Sequence, residues 1–349
     1  MTSRERVRLA LAHQETDRVP IALVCSGINA PADGAFDAFL KARRGLSLAQ
    51  YLEPLIDIQA VGPDYIGPAL AKRTDIWGVR RKAISYGASA YDEIDYYPLR
   101  GIDDINLIKS YHWPQAAWFD YAGLPDKIRA LRAKGDPCLM ALNGNIFESS
   151  WYMRGFEQIF LDLALNPEMA HAILDRVAEF WLVHFRNILA VAKGEIDLVF
   201  TADDIAGQNG LLMSLEMWET HLKPYHARLN HLIHEFGAKV IYHSDGAVQD
   251  AVPGLIDMGI DILQALQFDA RGMDAEKLKS AYGQRLCFEG GVSVQHTLPF
   301  GTPDDVRREV RELKRVLGRQ GGYILGPAHA IQAGTPPDNI YAMFETARE

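Results

Sequence analysis

The sharpest chemical signal in the chain is Tyr242-His243-Ser244-Asp245-Gly246, which directly follows Lys239-Val240-Ile241. Residues two apart on an extended segment face the same side, so the His243 imidazole and the Asp245 carboxylate converge on one point. Such a pair grips a divalent metal, and His329 in Gly326-Pro327-Ala328-His329 offers a third ligand from another segment end. Two imidazoles and one carboxylate leave a coordination position open, as at a catalytic zinc, and the same trio suits ferrous iron. A metal-free reading stands beside it. There Asp245 orients His243 through a hydrogen bond, His243 is a general acid or base, and His329 binds substrate.

Other polar residues fall at the ends of comparable apolar runs. Asp203 and Asp204, in Phe200-Thr201-Ala202-Asp203-Asp204-Ile205, have three roles open to them: proton transfer, support of a metal, or capping the next helix. With Glu289 they form the candidate catalytic set. Asn143, Glu148, Gln208, Tyr242 and Gln267 are candidate substrate contacts, as is Cys25, which reads more readily as a small apolar core filler. Segment ends meet solvent and are often polar for that reason alone, so the joint occurrence carries the argument. The other histidines, His226 among them, lie in helical or irregular stretches and read as surface or packing residues.

A scaffold must bring these ends together. Residues 1–17 read as an N-terminal helix leading into the apolar run 19–25. Similar short runs, rich in Val, Ile, Leu or Phe, recur at 138–142, 197–201, 239–242, 261–266, 285–288 and 323–325. Strands apolar on both faces are what a parallel sheet covered by helices requires, and helical periodicity fills 167–190, 214–236 and 303–317 between them. No GxGxxG follows the first run, which removes the main support for an open dinucleotide-binding sheet. The order predicts a single α/β domain over 1–349, a (β/α)8 TIM barrel with an N-terminal helical extension. Residues 30–118, dense in proline, glycine and aromatics, are predicted as a long insertion or lid after the first strand, with strands near 64–66 or 77–84. A barrel of this kind carries its chemistry at the carboxyl ends of its strands, where these polar residues fall.

Composition narrows the partners. At 48% hydrophobic and 23% charged residues, the 349-residue chain can bury a full core, and its net charge of -9 gives no footprint for nucleic acid or an anionic membrane. No uninterrupted apolar run approaches the ~20 residues of a membrane span. Three scattered cysteines offer no disulfide framework, and the charged start reads as a capped helix, which together predict a cytoplasmic enzyme.

The motifs also resemble a known family nearly end to end. Arg4-Glu5-Arg6-Val7, Asp17-Arg18-Val19-Pro20, Trp151 to Phe156, Asp203 to Gln208 followed by Lys223-Pro224, His243-Ser244-Asp245-Gly246, and Gly322-Tyr323-Ile324-Leu325-Gly326-Pro327-Ala328-His329 are similar in kind and order to the uroporphyrinogen decarboxylase superfamily. The likeness is nearest to its cobalamin-dependent methyltransferases, and it implies the (β/α)8 barrel. The decarboxylases carry Arg-Gln-Ala-Gly-Arg soon after the first strand, a clamp for porphyrinogen carboxylates, where this chain reads Cys25-Ser26-Gly27-Ile28-Asn29-Ala30. They share a histidine at the position of His329 and lack one at His243. Metal-independent decarboxylation of a smaller carboxylated substrate is therefore the alternative function.

The corrinoid methyltransferases hold zinc through His-x-Cys and a later cysteine. By position His243 matches that histidine, while Asp245 and His329 stand where the cysteines would be. Replacing thiolates by carboxylate and imidazole gives a harder Lewis acid, suited to oxygen rather than a thiol. The resemblance thus implies a zinc-dependent O-demethylase that moves a methyl group from a methoxylated substrate, aromatic ones included, to cob(I)alamin. Since the chain has no Asp-x-His-x-x-Gly cobalamin motif, it implies a separate corrinoid protein docking at the barrel mouth, and it allows a homodimer.

Overall fold

The computed structural model describes residues 1–24, 27–85, 87 and 90–349. Seven short strands, all but the first fully or largely buried, pair in parallel: β1 Ile58–Ala60, β2 Cys138–Ala141, β3 Leu198–Ala202, β4 Lys239–His243, β5 Ile262–Gln264, β6 Cys287–Val292 and β7 Tyr323–Pro327. The extended segment 20–22 closes the ring. Ala22 N donates to Leu325 O and Leu325 N to Pro20 O on one side, and Asp57 N donates to Ile21 O on the other. The result is the expected (β/α)8 barrel.

Alternation along the strands sorts the side chains. Cys138, Met140, Leu198, Phe200, Ile241, Ile262 and Ile324 fill the barrel interior. The residues between them face outward and pack under the helices. Helix Pro303–Leu317 opens with a capping box between Thr302 and Asp305 and with proline in its first turn, as the sequence indicates. The stretch 214–236 is two helices, Leu215–His221 and Lys223–Glu235. Pro224 starts the second, because proline fits a first helical turn and not a helix interior. Among the described residues no helix is long and apolar enough to cross a membrane.

The charged N-terminal motif belongs to the end of the barrel away from the strand carboxyl termini. Helix Ser3–Leu11, with its own Thr2/Glu5 capping box, sends Val7 into the interior core and so plugs that end. Arg6 reaches Asp57 at 2.6 Å and Asp17 at 2.6 Å, and Arg18 reaches Asp57 at 2.7 Å. Arg4, Arg8 and Arg132 all pair with Asp197. Asp57 and Asp197 immediately precede β1 and β3, so these ion pairs fasten the plug to the strand starts.

Residues 30–118 divide into two parts. The first holds helices Ala32–Arg44 and Leu48–Leu52, with Phe36 stacked on Phe344 of helix Pro337–Ala347, and leads into β1, a barrel strand too short for its alternation to register in sequence. The second lies between β1 and helix Leu124–Arg132. Strands do form near the expected positions, outside the barrel: Asp64–Tyr65 pairs with Phe119–Asp120, and Arg80–Ser85 forms an antiparallel hairpin with Ala90–Tyr96. Charged residues on both faces of that hairpin keep it largely in solvent. Cys25 lies outside the described residues.

Candidate metal centre

The carboxyl ends of the strands border a cavity of about 790 Å³. His243 is the last residue of β4 and, two past the inward Ile241, points into the barrel mouth. Asp245 follows by two residues and His329 by two from the end of β7, both half-buried. One donor atom from each of the three lies within 4.8 Å of the others, the only such group of three among the described residues. His329 Nε2 stands 3.7 Å from Asp245 Oδ2, and the two imidazole centroids are 5.9 Å apart. Donors sharing one zinc at about 2 Å each sit no more than about 4 Å apart, so the trio needs only a slight closing to fit it.

Neighbouring residues orient these donors. His243 Nδ1 lies 2.5 Å from Gln264 Oε1, a contact that fixes the ring from its Nδ1 side and turns Nε2 toward the site. Asp204 Oδ1 accepts the Asp245 N–H at 2.7 Å and stands 3.6 Å from His243 Nε2. Gly246 has φ +86°, and a side chain there would meet Gly207 O at 2.5 Å, so only glycine lets the loop lie so close. Its N–H donates to Gln267 Oε1 (2.9 Å), and Gln267 Nε2 donates to Gln208 Oε1 (3.1 Å). Burial pushes the Asp245 carboxyl above the usual range and Asp204 adds to this, while His243 and His329 oppose it. A divalent cation among the three would favour the ionised form that binds it.

Helix Phe147–Arg154 forms another part of the wall. Asp203 caps it: Oδ2 accepts from Phe147 N and Oδ1 from Glu148 N, each at 2.8 Å, and His226 Nε2 sits 2.5 Å from Oδ2. Glu148, in the first turn, borders the cavity. Tyr152, four residues on and therefore on the same face, donates its hydroxyl to Glu148 Oε1 at 2.8 Å, and Asn145 Nδ2 donates to Oε2 at 2.5 Å. Burial pushes the Glu148 carboxyl up to about 7, and the charges of Asp204 and Asp203 push the same way against Tyr152 and His243. Asn143, held at φ +80°, borders the cavity too, and Met140, Leu142 and Phe200 supply an apolar side.

The structure thus gathers His243, Asp245, His329, Asp204, Glu148 and Asn143 at one mouth. Gln208 and Gln267 brace the loop that carries Asp245. Asp203 is buried as a cap, and the helix it caps precedes it in the chain. Tyr242 faces outward by alternation, fully buried, its hydroxyl 3.2 Å from Asp203 O and its ring edge-on to His226. Glu289 lies within β6, which runs on to Val292, and the β5–β6 register places it beside Gln264 inside the barrel. Its carboxylate occupies space that a side chain at Gly326 would take.

Sequence reasoning missed Gln264, Tyr152 and His226. A lone polar residue two past the inward Ile262 was the available signal for Gln264, and the i,i+4 spacing from Glu148 was the signal for Tyr152. Nothing local marks His226 as the partner of an aspartate 23 residues earlier.

Residues 97–349 match the family described as Uroporphyrinogen decarboxylase (URO-D). The chain is similar to the methylated-thiol–coenzyme M methyltransferase of Methanosarcina mazei, 28% identical over 203 residues that cover 58% of this chain and 51% of that protein. It is also similar to the uroporphyrinogen decarboxylase of Crocosphaera subtropica, 25% identical over 187 residues, 53% of this chain and 48% of that one. The chain spans about half the length of these curated relatives. A solved methyltransferase from Methanosarcina mazei superposes with a TM-score of 0.71 at 18% identity, covering 99% of this chain and 98% of that chain, which shows the shared fold.

Proposed function

Because the chain belongs to the uroporphyrinogen decarboxylase family, we propose that it is a member turned to methyl transfer: a zinc-dependent methyltransferase that takes the methyl group of a methoxylated donor to a corrinoid. The observation that carries this reading is the trio His243, Asp245 and His329, with the His243 ring held from its Nδ1 side by Gln264. The similarity to a methyltransferase that acts on a methylated thiol supports the reaction class. The oxygen and nitrogen donors support an ether in place of the thiol.

When bound, zinc supplies a Lewis acid toward the ether oxygen and the reduced corrinoid supplies the nucleophile toward the methyl carbon. The chain's own residues do the rest. As the methyl carbon–oxygen bond breaks, its electron pair stays on oxygen, and the Glu148 carboxyl gives that oxygen a proton. Tyr152 and Asn145 hold the Glu148 carboxyl in place. Asp204 fixes the backbone of the loop bearing Asp245. Met140, Leu142 and Phe200 pack the donor's apolar body and exclude water. The barrel mouth would be the docking surface for a separate protein that carries the corrinoid.

Decarboxylation of a small carboxylated substrate is the second reading, favoured by the similarity to uroporphyrinogen decarboxylases. Zinc-loaded protein incubated anaerobically with cob(I)alamin and a panel of methoxylated aromatics separates the two. The proposal expects a demethylated alcohol or phenol and a methylated corrinoid, both lost in His243→Ala. Release of carbon dioxide from carboxylated compounds without metal or corrinoid, and no methyl transfer, would overturn it.

A further inference from the structure

We infer that the methyl donor carries no anionic group, and that Glu148 and Asp204 enforce this choice between neutral or cationic donors and anionic ones. This rests on reading the cavity as the donor's site. Proteins meet carboxylate, sulfonate or phosphate groups with Arg, with Lys or with the free N–H groups of a helix N-terminus. Among the described residues that border the cavity, none is Lys or Arg, whereas Glu148 and Asp204 are both there and Asp245 lies beside them. Arg81, whose guanidinium stacks over the Tyr152 ring at 5.1 Å, is already held by Asp75 at 2.7 Å.

The N-terminus of the helix that carries Glu148 is also taken. Helix Phe147–Arg154 would aim its first N–H groups at an anion, yet Asp203 accepts those of Phe147 and Glu148. Those N–H groups are therefore satisfied by an internal carboxylate and are not on offer to a donor's carboxylate. A bound zinc would have its charge matched by Asp245, with Asp204 close by. The crowding that raises the Glu148 carboxyl would act on any further negative charge brought into the same space.

A matched set of methoxylated phenols tests this: vanillyl alcohol (neutral), vanillylamine (cationic) and vanillate (anionic). Their binding to zinc-loaded protein is measured by calorimetry at mildly alkaline pH, without corrinoid, so the outcome is independent of methyl transfer. Vanillyl alcohol and vanillylamine should bind at least roughly tenfold more tightly than vanillate, the size expected of a like charge several ångströms away at the cavity's effective dielectric. The Glu148→Gln, Asp204→Asn double variant should close most of that gap. Glu148→Gln alone, which leaves the Asp204 bond to the loop in place, should narrow it even if the double variant misfolds. Vanillate binding as tightly as the alcohol, a gap unchanged in the variants, or no binding by any of the three would each overturn the inference.

Discussion

Replacing Glu148 by glutamine should make the metal-free protein more stable at alkaline pH while removing its activity. In the folded chain Glu148 is 8% exposed, and its carboxyl is pushed from its ordinary 4.5 up to about 7 by burial and by Asp204 and Asp203. Below pH 4.5 folded and unfolded chains both carry the proton, so nothing is lost. As pH rises the unfolded chain ionises first, stability falls, and the loss is complete once pH passes the folded value of about 7. The gap corresponds to about 3 kcal/mol. Glutamine does not titrate, and it keeps one oxygen for the Tyr152 hydroxyl. It loses an acceptor toward Asn145, a pH-independent cost of about 1 kcal/mol. Urea unfolding of chelator-treated wild type and Glu148→Gln at about pH 5 and about pH 8 should show the stability difference shifting toward the variant by about 2 to 3 kcal/mol between the two. A difference that stays flat with pH would refute the account of Glu148 as a carboxyl held neutral. In the active system the same change should lower kcat by about two orders of magnitude or more, because no proton remains to give.

Gln264→Leu removes the acceptor that fixes the His243 ring, and zinc affinity measured against a competing chelator dye should fall by about 10- to 100-fold with the fold intact. Asp203→Ala strips the cap from helix Phe147–Arg154 and leaves the N–H groups of Phe147 and Glu148 and the His226 ring nitrogen short of a buried acceptor. Denaturant unfolding should register a loss of about 2 to 4 kcal/mol. Arg6→Ala at the opposite end removes one cation from buried Asp57, which Arg18 still holds, and should cost about 3 kcal/mol while zinc stoichiometry stays as in wild type.

Where burial and periodicity coincide, the sequence speaks clearly. The runs at 138–142, 197–201 and 239–242 are apolar on both faces because each is covered by helices outside and by core inside, and they form β2, β3 and β4. The convergence of His243 and Asp245 was legible because it needs only the two-residue repeat of a strand and the loop that continues it. β1 was not legible: Ile58-Gln59-Ala60 is too short to show a period, and its place is fixed by pairing with Cys138–Ala141 far along the chain. Capping and metal support were among the roles open to Asp203 and Asp204, but the partners of each acid were hidden for the same reason. Asp203 turns to a helix that lies some fifty residues earlier and Asp204 to the loop some forty residues later. The motifs that carry the family resemblance also differ in what they do. The arginines near the N-terminus fasten the closed end of the barrel, whereas His243-Ser244-Asp245-Gly246 shapes the mouth.

The claim on which the rest depends is that His243, Asp245 and His329 hold a catalytic zinc. Its most direct test is the zinc content of protein purified without chelators, then equilibrated with zinc and desalted, beside a His243→Ala, Asp245→Ala double variant of matched secondary structure. The account predicts about one zinc per wild-type chain and none retained by the variant. Absence of zinc from the wild type after loading, or equal zinc in both proteins, would contradict it.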